Sequence, residues 1–430
     1  MWRTLSQHPV TFLRGSALDQ MSLFTVALGL ESPWEVVDVA FDPQRGQIDF
    51  QVGFTPGTRF ACPQCGAEHQ SVHDARERSW RHLNFFQYQA YIHAAVPRVR
   101  CQACAKTTQV DVPWARPNSG FTLLMEALLV TLCKAMPIRQ VAQLLGVSDM
   151  RIWRTLDHYV EQARAQEYFS GAVSIGIDET AARRGHNYIS LFHDLDAPRL
   201  LFACEGRKAE VVAQFADDLE AHGACAEQVR NACIDMSASY RAGLAEHIPW
   251  AAITFDEFHV IQLVNKAVDE VRRQEVKAVP ELKRSRYIWL KDQHDWSRKQ
   301  LVQFVDLRDL NLKTYRAFRI KESLREIFRT AKTTTDAEAL LDRWYSWARR
   351  CRLEPIKKVA KTLKDHWQGI LNAFHSKLTN ARVEAANSLI QAAKAKARGY
   401  GTTRHLITIS YLVAGKLTQL PASPFSTAQA

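Results

Sequence analysis

Val173-Ser-Ile-Gly-Ile-Asp178-Glu-Thr180 and Asn231-Ala-Cys-Ile-Asp235-Met236 are two short apolar runs, each delivering a carboxylate. In the first, Val173, Ile175 and Ile177 alternate and share one face of a strand, which leaves Asp178 on the other face, at the strand's end. The second run is shorter and ends at Asp235 in the same way. Between them, residues 188–194 and 198–204 read as two strands joined by Leu195-Asp-Ala, and residues 208–222 read as a helix. A helix near 238–246 and a strand over 251–255 follow. Taken singly, an aspartate at a strand end is more often a cap or turn residue.

Working outward, three strands, a helix, a strand, a helix and a strand is the order of a ribonuclease H-like fold. In that fold Asp178 and Asp235 end neighbouring central strands. A third carboxylate stands on the last long helix, which starts near Thr379. Val383, Ala386, Ile390, Ala393 and Ala397 give that helix one apolar face. Glu384, Asn387, Gln391, Lys394 and Arg398 fall within about 80° of one another at 100° per residue. The helix thus carries one carboxylate near its start and an increasingly basic polar stripe after it, the pattern of a metal ligand beside a phosphate-binding track. Three carboxylates suit in-line displacement at a phosphodiester, because two hard divalent ions, Mg²⁺ or Mn²⁺, activate the attacking oxygen and stabilise the leaving one. Asp178 would bridge both ions, with Asp235 and Glu384 each completing one side.

The bulk properties fit a DNA partner. The chain has 430 residues, 47% hydrophobic and 10% aromatic, enough for several globular domains. Net charge is +11, and residues 357–404 alone hold ten Lys/Arg against two acids, while residues 271–300 hold nine against four. Such concentration suits a polyanion, although a solvated helical surface would look similar. No run of about 18 apolar residues predicts a membrane span. The first twenty residues lack a signal-peptide core, so the chain reads as cytoplasmic, nucleoid-associated when bound to DNA.

Two of the nine cysteine positions open Cys-x-x-Cys pairs, Cys62/Cys65 and Cys101/Cys104. Four thiolates satisfy a tetrahedral Zn²⁺, with Pro63 and Gly66 shaping the first knuckle. The 35 residues between the pairs require a long hairpin. Arg76, Arg78, Trp80, Arg81 and His82 within it either meet DNA or cap the small domain. The other five cysteines (Cys133, Cys204, Cys225, Cys233, Cys351) read mostly as buried free thiols. Beyond this ribbon, residues 136–154 read as a helix-turn-helix. Pro137 suits the first turn, Gly146 a positive-φ turn, and Ser148 an N-cap. Ile152 and Leu156 face inward, leaving Asp149, Arg151 and Arg154 for a major groove. A plain helical hairpin is the alternative.

The order of these features resembles the ISL-three family of bacterial insertion-sequence transposases from about residue 21 to 415. The resemblance is carried by the four cysteines, Trp80-Arg-His-Leu, the helix-turn-helix and Gly176-Ile-Asp178-Glu. It continues through Ile234-Asp235-Met-Ser and Phe255-Asp-Glu-Phe-His259. Thr379-Asn-Ala-Arg-Val-Glu384-Ala-Ala-Asn387 and Arg398-Gly-Tyr-Gly complete it. The resemblance implies a DDE transposase using Asp178, Asp235 and Glu384, with a helical insertion filling the 148 residues between Asp235 and Glu384. Ala385 and Gln391 stand where the family often has Gly and Lys. Asp256-x-x-His259 looks like a paired Asp/His motif of related groups. His259 would contact the scissile phosphate or flanking base, or simply start a helix.

The expected organisation is multidomain α+β: a leader over 1–20, a β-rich zinc ribbon over 21–115 and a helix-turn-helix domain over 116–168. A ribonuclease H-like core over 169–256 and 376–418 is interrupted by an all-helical insertion over 257–375, and 419–430 forms a tail. Trp289, Trp296, Trp344, Trp347 and Trp367 in the insertion read as core. Residues 21–56 read as strand-like. The expected DNA contacts are Arg151, Arg154, His259, Asn387, Gln391, Lys394 and Arg398. The expected activity is cleavage and joining of double-stranded DNA at the element's terminal inverted repeats and at a target, by a homodimer or higher oligomer. A DNA-binding regulator without chemistry is the alternative, and the presence of all three carboxylates in order favours the enzyme.

Overall fold

The computed structural model describes residues 19–183, 187–376 and 381–425. The expected leader thus lies almost wholly outside the described residues, as does the end of the expected tail. The chain falls into two units divided between Ala135 and Met136, with the segment from Pro421 grouped with the first.

In the first unit, the strand-like reading fails at its start. Residues Gln20–Ala27 form helix α1, whose first turn is capped by the Asp19 side chain accepting from the Ser22 amide at 2.7 Å. Met21, Phe24 and Leu28 recur at helical spacing and pack on the core, so the period there is 3–4 and not 2. Strands begin at β1 (Trp34–Asp42) and continue with β2 (Gln47–Phe54), β3 (Val72–Arg81), β4 (Gln89–Arg100) and the short β5 (Thr107–Gln109). Their order is β1-β2-β4-β3, with β5 on β4. The required long hairpin is β3 paired antiparallel with β4. Alternate residues Ala90, Ile92, Ala94 and Val96 of β4 are fully buried against Trp34, Phe50 and Trp80. Trp80 and Arg81 are each 2% exposed, so these two cap the small domain. Helix α2 (Leu123–Ala135) closes the unit.

The second unit opens with α3 (Ile138–Leu145) and α4 (Asp149–Ala165). Strands β6 (Ser174–Arg183), β7 (Asn187–Asp194) and β8 (Arg199–Glu205) follow, then α5 (Glu210–Ala221), β9 (Asn231–Ile234), α6 (Ala238–His247) and β10 (Ala252–Phe255). The five strands form one sheet in the order β10-β9-β6-β7-β8. Strands β10, β9 and β6 run parallel, and β9 and the first half of β6 are largely apolar, as expected of strands covered on both faces. From β10 the chain is helical: α7 (Glu257–Glu275), α8 (Arg286–Leu290), α9 (Arg298–Arg308), α10 (Lys313–Thr330), α11 (Thr334–Arg350), α12 (Glu354–Asp365) and α13 (Trp367–Ser376). Then come α14 (Ala381–Lys396) and α15 (Thr403–Ala414).

Both sheet edges are covered, which removes the hazard of unpaired edge groups. On β10, Asn372 of α13 donates to the Ile253 carbonyl at 2.8 Å. On β8, the Ala203 amide donates to the Tyr411 hydroxyl of α15 at 2.8 Å. Helix α13 reaches β10 because Gly369 has no side chain: a Cβ there would lie 2.4 Å from the Phe255 ring. Gly369→Val is therefore expected to overpack this contact and cost about 1–3 kcal/mol, read as a lower urea midpoint; an unchanged midpoint would count against this packing.

Among the helical tryptophans, Trp289 and Trp344 are buried and Trp296 and Trp367 pack on the core. Trp347 departs from the core reading, at 41% exposure. Of the scattered cysteines, Cys133, Cys204, Cys233 and Cys351 are buried thiols, and Cys225 is exposed.

Candidate functional site: a row of carboxylates at the ends of parallel strands

Asp178 does not end its strand, because β6 continues to Arg183 in antiparallel pairing with β7. It sits mid-strand, just past the parallel pairing with β9, which ends at Gly176↔Cys233. Extending that register by two residues sets Asp178 level with Asp235, which immediately follows β9. The β9–β10 register, ending Ile234↔Phe255, sets Asp256 level with Asp235 in turn. Three aspartates therefore lie in a row just past the point where the parallel pairing stops. Asp256 was not read as part of this set. Its signal was the same apolar run ending in Asp, at Phe255-Asp256.

Helix α14 brings Glu384 to this row. Val383 and Ile390 of its apolar face are fully buried. Its polar stripe lies along β6: the Asn387 amide donates to the Asp178 carboxylate, Gln391 to the Thr180 hydroxyl, and the Lys394 ammonium to the Ala181 carbonyl. The stripe expected to track phosphates is thus hydrogen-bonded to the sheet as far as Lys394, and Gln391, Lys394 and Arg398 also line a groove beside Arg183.

The electrostatics register the convergence. Burial raises the Asp178 carboxyl above its ordinary value; the Glu179 amide and the charge of His259 pull it back, and Asp235 pushes it up. Burial and the charge of Asp256 raise Glu384, His259 lowers it, and Asp178 raises it. Both carboxyls are raised by burial and by neighbouring carboxylates, a penalty that a bound cation relieves. Among the described residues, the one group of three or more possible ligands whose donor atoms all lie within 4.8 Å of one another is the four cysteines. The three carboxylates do not all come that close.

His259 stands at the start of α7 with its ring in a cleft of about 400 Å³ that also meets Asp235, Arg207 and Lys266. Neither of these two cations was read from the sequence as a site residue. Their loop and helix positions carry no motif. His193, on β7, was also missed. It is buried beside Asn387, and burial pushes its imidazole down to about 4, so it is neutral near pH 7.

The helix-turn-helix forms as expected around Gly146, whose φ of +64° reverses the chain with its amide donating to Ala142. Pro137 stands at the cap, one residue before α3, where a missing amide costs nothing. Ser148 occupies the N-cap of α4 without a side-chain cap bond. Ile152 and Leu156 are fully buried, Arg154 is exposed and Arg151 is half-buried. The other side of α4 docks on α15: the Trp153 and His405 rings stack 3.7 Å apart, and Thr408 donates to Asp157 at 2.8 Å.

In the first unit the four cysteine sulfurs converge, with Cys62–Cys104 at 3.9 Å and Cys65–Cys101 at 3.6 Å. A tetrahedral ion with bonds of about 2.3 Å spaces its sulfurs by about 3.8 Å, so these residues fit Zn²⁺. The Cys104 amide, first among several hydrogen bonds, lowers the Cys101 thiol, while contact with Cys101 helps raise Cys65, so the two sulfurs compete for one negative charge.

Comparison with known proteins agrees with this layout. A family model described as the zinc-finger of transposase IS204/IS1001/IS1096/IS1165 matches residues 58–104. One described as the helix-turn-helix domain of transposase family ISL3 matches 110–160, and the ISL3 family's transposase model matches 175–410. The chain is similar to the transposase for insertion sequence element IS1557 of Mycobacterium tuberculosis, 27% identical over 439 residues that span 93% of this chain and 97% of that protein. It is also similar to the transposase for insertion sequence element IS1001 of Bordetella parapertussis, 26% identical over 348 residues spanning 79% of this chain and 85% of that protein. With ribbon, helix-turn-helix and more than half its length matched in sequence order, the chain belongs to the ISL3 family of insertion-sequence transposases.

Proposed function

We propose that this transposase cleaves the ends of its element and joins them to a target, using Asp178, Asp235 and Glu384 to hold two Mg²⁺ (or Mn²⁺) ions in a ribonuclease H-like core interrupted by the helices α7 to α13. The observation that carries the reading is the register: Asp178 and Asp235 are level on adjacent parallel strands, and Asn387 ties the Glu384 helix to Asp178. The donor set is all oxygen, as a hard divalent cation requires. Two such ions, when bound, supply Lewis acidity at the attacking and leaving oxygens. The chain's own residues do the positioning. Asn387 orients the Asp178 carboxylate toward its neighbours. Glu384, exposed at the start of α14, closes the row from the open side. His259 lines the cleft beside Asp235, where its ring can donate a hydrogen bond to an approaching phosphate.

Element ends are read by the ribbon and by Arg151 and Arg154 of α4, and pairing two ends requires at least a dimer. No helix among the described residues is long and apolar enough to cross a membrane.

Full-length protein incubated with a labelled duplex carrying one element end and its flank is expected to nick it in Mg²⁺ or Mn²⁺ and not in EDTA. Asp235→Cys is expected to lose activity in Mg²⁺ and regain part of it in the softer Mn²⁺, because thiolate is a poor ligand for Mg²⁺. Cleavage in EDTA would end the metal assignment.

A further inference from the structure

Two helices flank the carboxylate row, and each presents a polar stripe ending in lysine. On α14 the stripe is Asn387, Gln391 and Lys394, and all three are hydrogen-bonded to β6. On α7 it is His259, Gln262 and Lys266, at offsets 0, 3 and 7, so they share one helix face. These three line the cleft that opens beside Asp235. Like Glu179, Arg207, from the loop before α5, lines the same cleft. Its guanidinium lies 4.3 Å over the Tyr188 ring and 3.4 Å from the Glu179 carboxylate. Lys266 and Arg207 are both exposed. Of the two acids one turn on along α7, Asp269 is held by Arg272 at 2.8 Å and Arg286 at 3.5 Å, and Glu270 is exposed.

We infer that this cleft is where the backbone of the DNA strand leaving the carboxylate row is held beside Asp235, with Lys266 and Arg207 each neutralising a phosphate and Gln262 donating a hydrogen bond between them. A polyanion approaching a row of carboxylates needs countercharge within a few ångströms, since the attraction falls within a Debye length of about 8–10 Å. The α14 lysine donates to the Ala181 carbonyl and lines a groove beside Arg183, whereas the α7 lysine lines the cleft that holds Asp235. The inference rests on the proposed reaction at Asp178, Asp235 and Glu384, and it concerns where the strand lies relative to them.

The test is the salt dependence of binding of full-length protein to a random-sequence duplex. Each phosphate neutralised contributes about 0.9 to the slope of log K against log salt. The Arg207→Ala/Lys266→Ala double variant is expected to make that slope shallower by about 2, and to raise KM for the labelled end duplex more than it lowers kcat. Lys266→Arg, which keeps the charge, is expected to restore about half of the lost slope when combined with Arg207→Ala. An unchanged slope in the double variant would overturn the inference. So would a Lys266→Arg variant that loses slope like Lys266→Ala, since charge would then not be the cause. Asp235→Asn, assayed beside them, separates the two claims: if it still cleaves, the catalytic reading fails whatever the slopes are.

Discussion

Asp235→Asn is expected to lower end cleavage by about 10³-fold or more while leaving affinity for the element end within a few-fold of the parent. The substitution keeps the shape of the side chain and its bond to the Ser237 amide, which Asp235 accepts at 2.8 Å. It removes one anionic ligand from a row in which Asp178 already feels the charge of Asp235. Lewis-acid stabilisation at a phosphoryl centre is worth several kcal/mol, and about 4 kcal/mol corresponds to about 10³ in rate. Binding should persist, because the substitution changes no residue of α4 or of the ribbon. The measurement is single-turnover cleavage of a labelled end, paired with a gel-shift titration. A variant that binds and still cleaves at the parental rate would remove Asp235 from the catalytic set.

Cys101→Ser is expected to take the protein from one bound zinc to none and to unfold the two knuckles without melting the β1 to β4 sheet. The knuckles are short loops held by few bonds of their own: the Cys62 amide donates to Ala67, the Gly66 amide to Cys62, and the Cys101 amide to Lys106. The Gln102 amide donating to the Gln70 side chain at 2.9 Å is a direct tie between them. The four sulfurs supply most of the remaining order, and structural zinc binds zinc-finger peptides with about 10–16 kcal/mol. The sheet has its own core of Trp34, Phe50, Trp80, Ile92 and Val96 and should survive. Metal analysis and amide hydrogen exchange check this together: fast exchange at Cys62, Gly66 and Cys101, with β4 still protected. A serine variant that keeps its zinc and its slow knuckle amides would refute the four-cysteine site.

Much of this layout could be read from residue types alone. Cys62, Cys65, Cys101 and Cys104 announce their site because a tight knuckle must place two thiols three residues apart. Gly146 announces its turn because few other residues accept a positive φ. The apolar runs before Asp178 and Asp235 name their strands, and α14 is visible from Val383 and Ile390. The α1 reading failed because residues 21–28 are too few to separate a period of 2 from one of 3.6 without knowing what they pack on.

Chain order and local chemistry thus determined that this protein has a zinc-binding ribbon, a helix-turn-helix and three carboxylates on separate strands and a helix, since each depends on neighbours within a few residues. Only the tertiary structure decided that Asp256 stands level with Asp178 and Asp235, because strand register is set by long-range pairing. It alone decided that Lys394 donates to the sheet at Ala181 while Lys266 lines the cleft beside Asp235. The rotation of a helix about its axis is chosen by what it packs against, and that partner lies, for α14, some two hundred residues away in the chain at Asp178, Thr180 and Ala181.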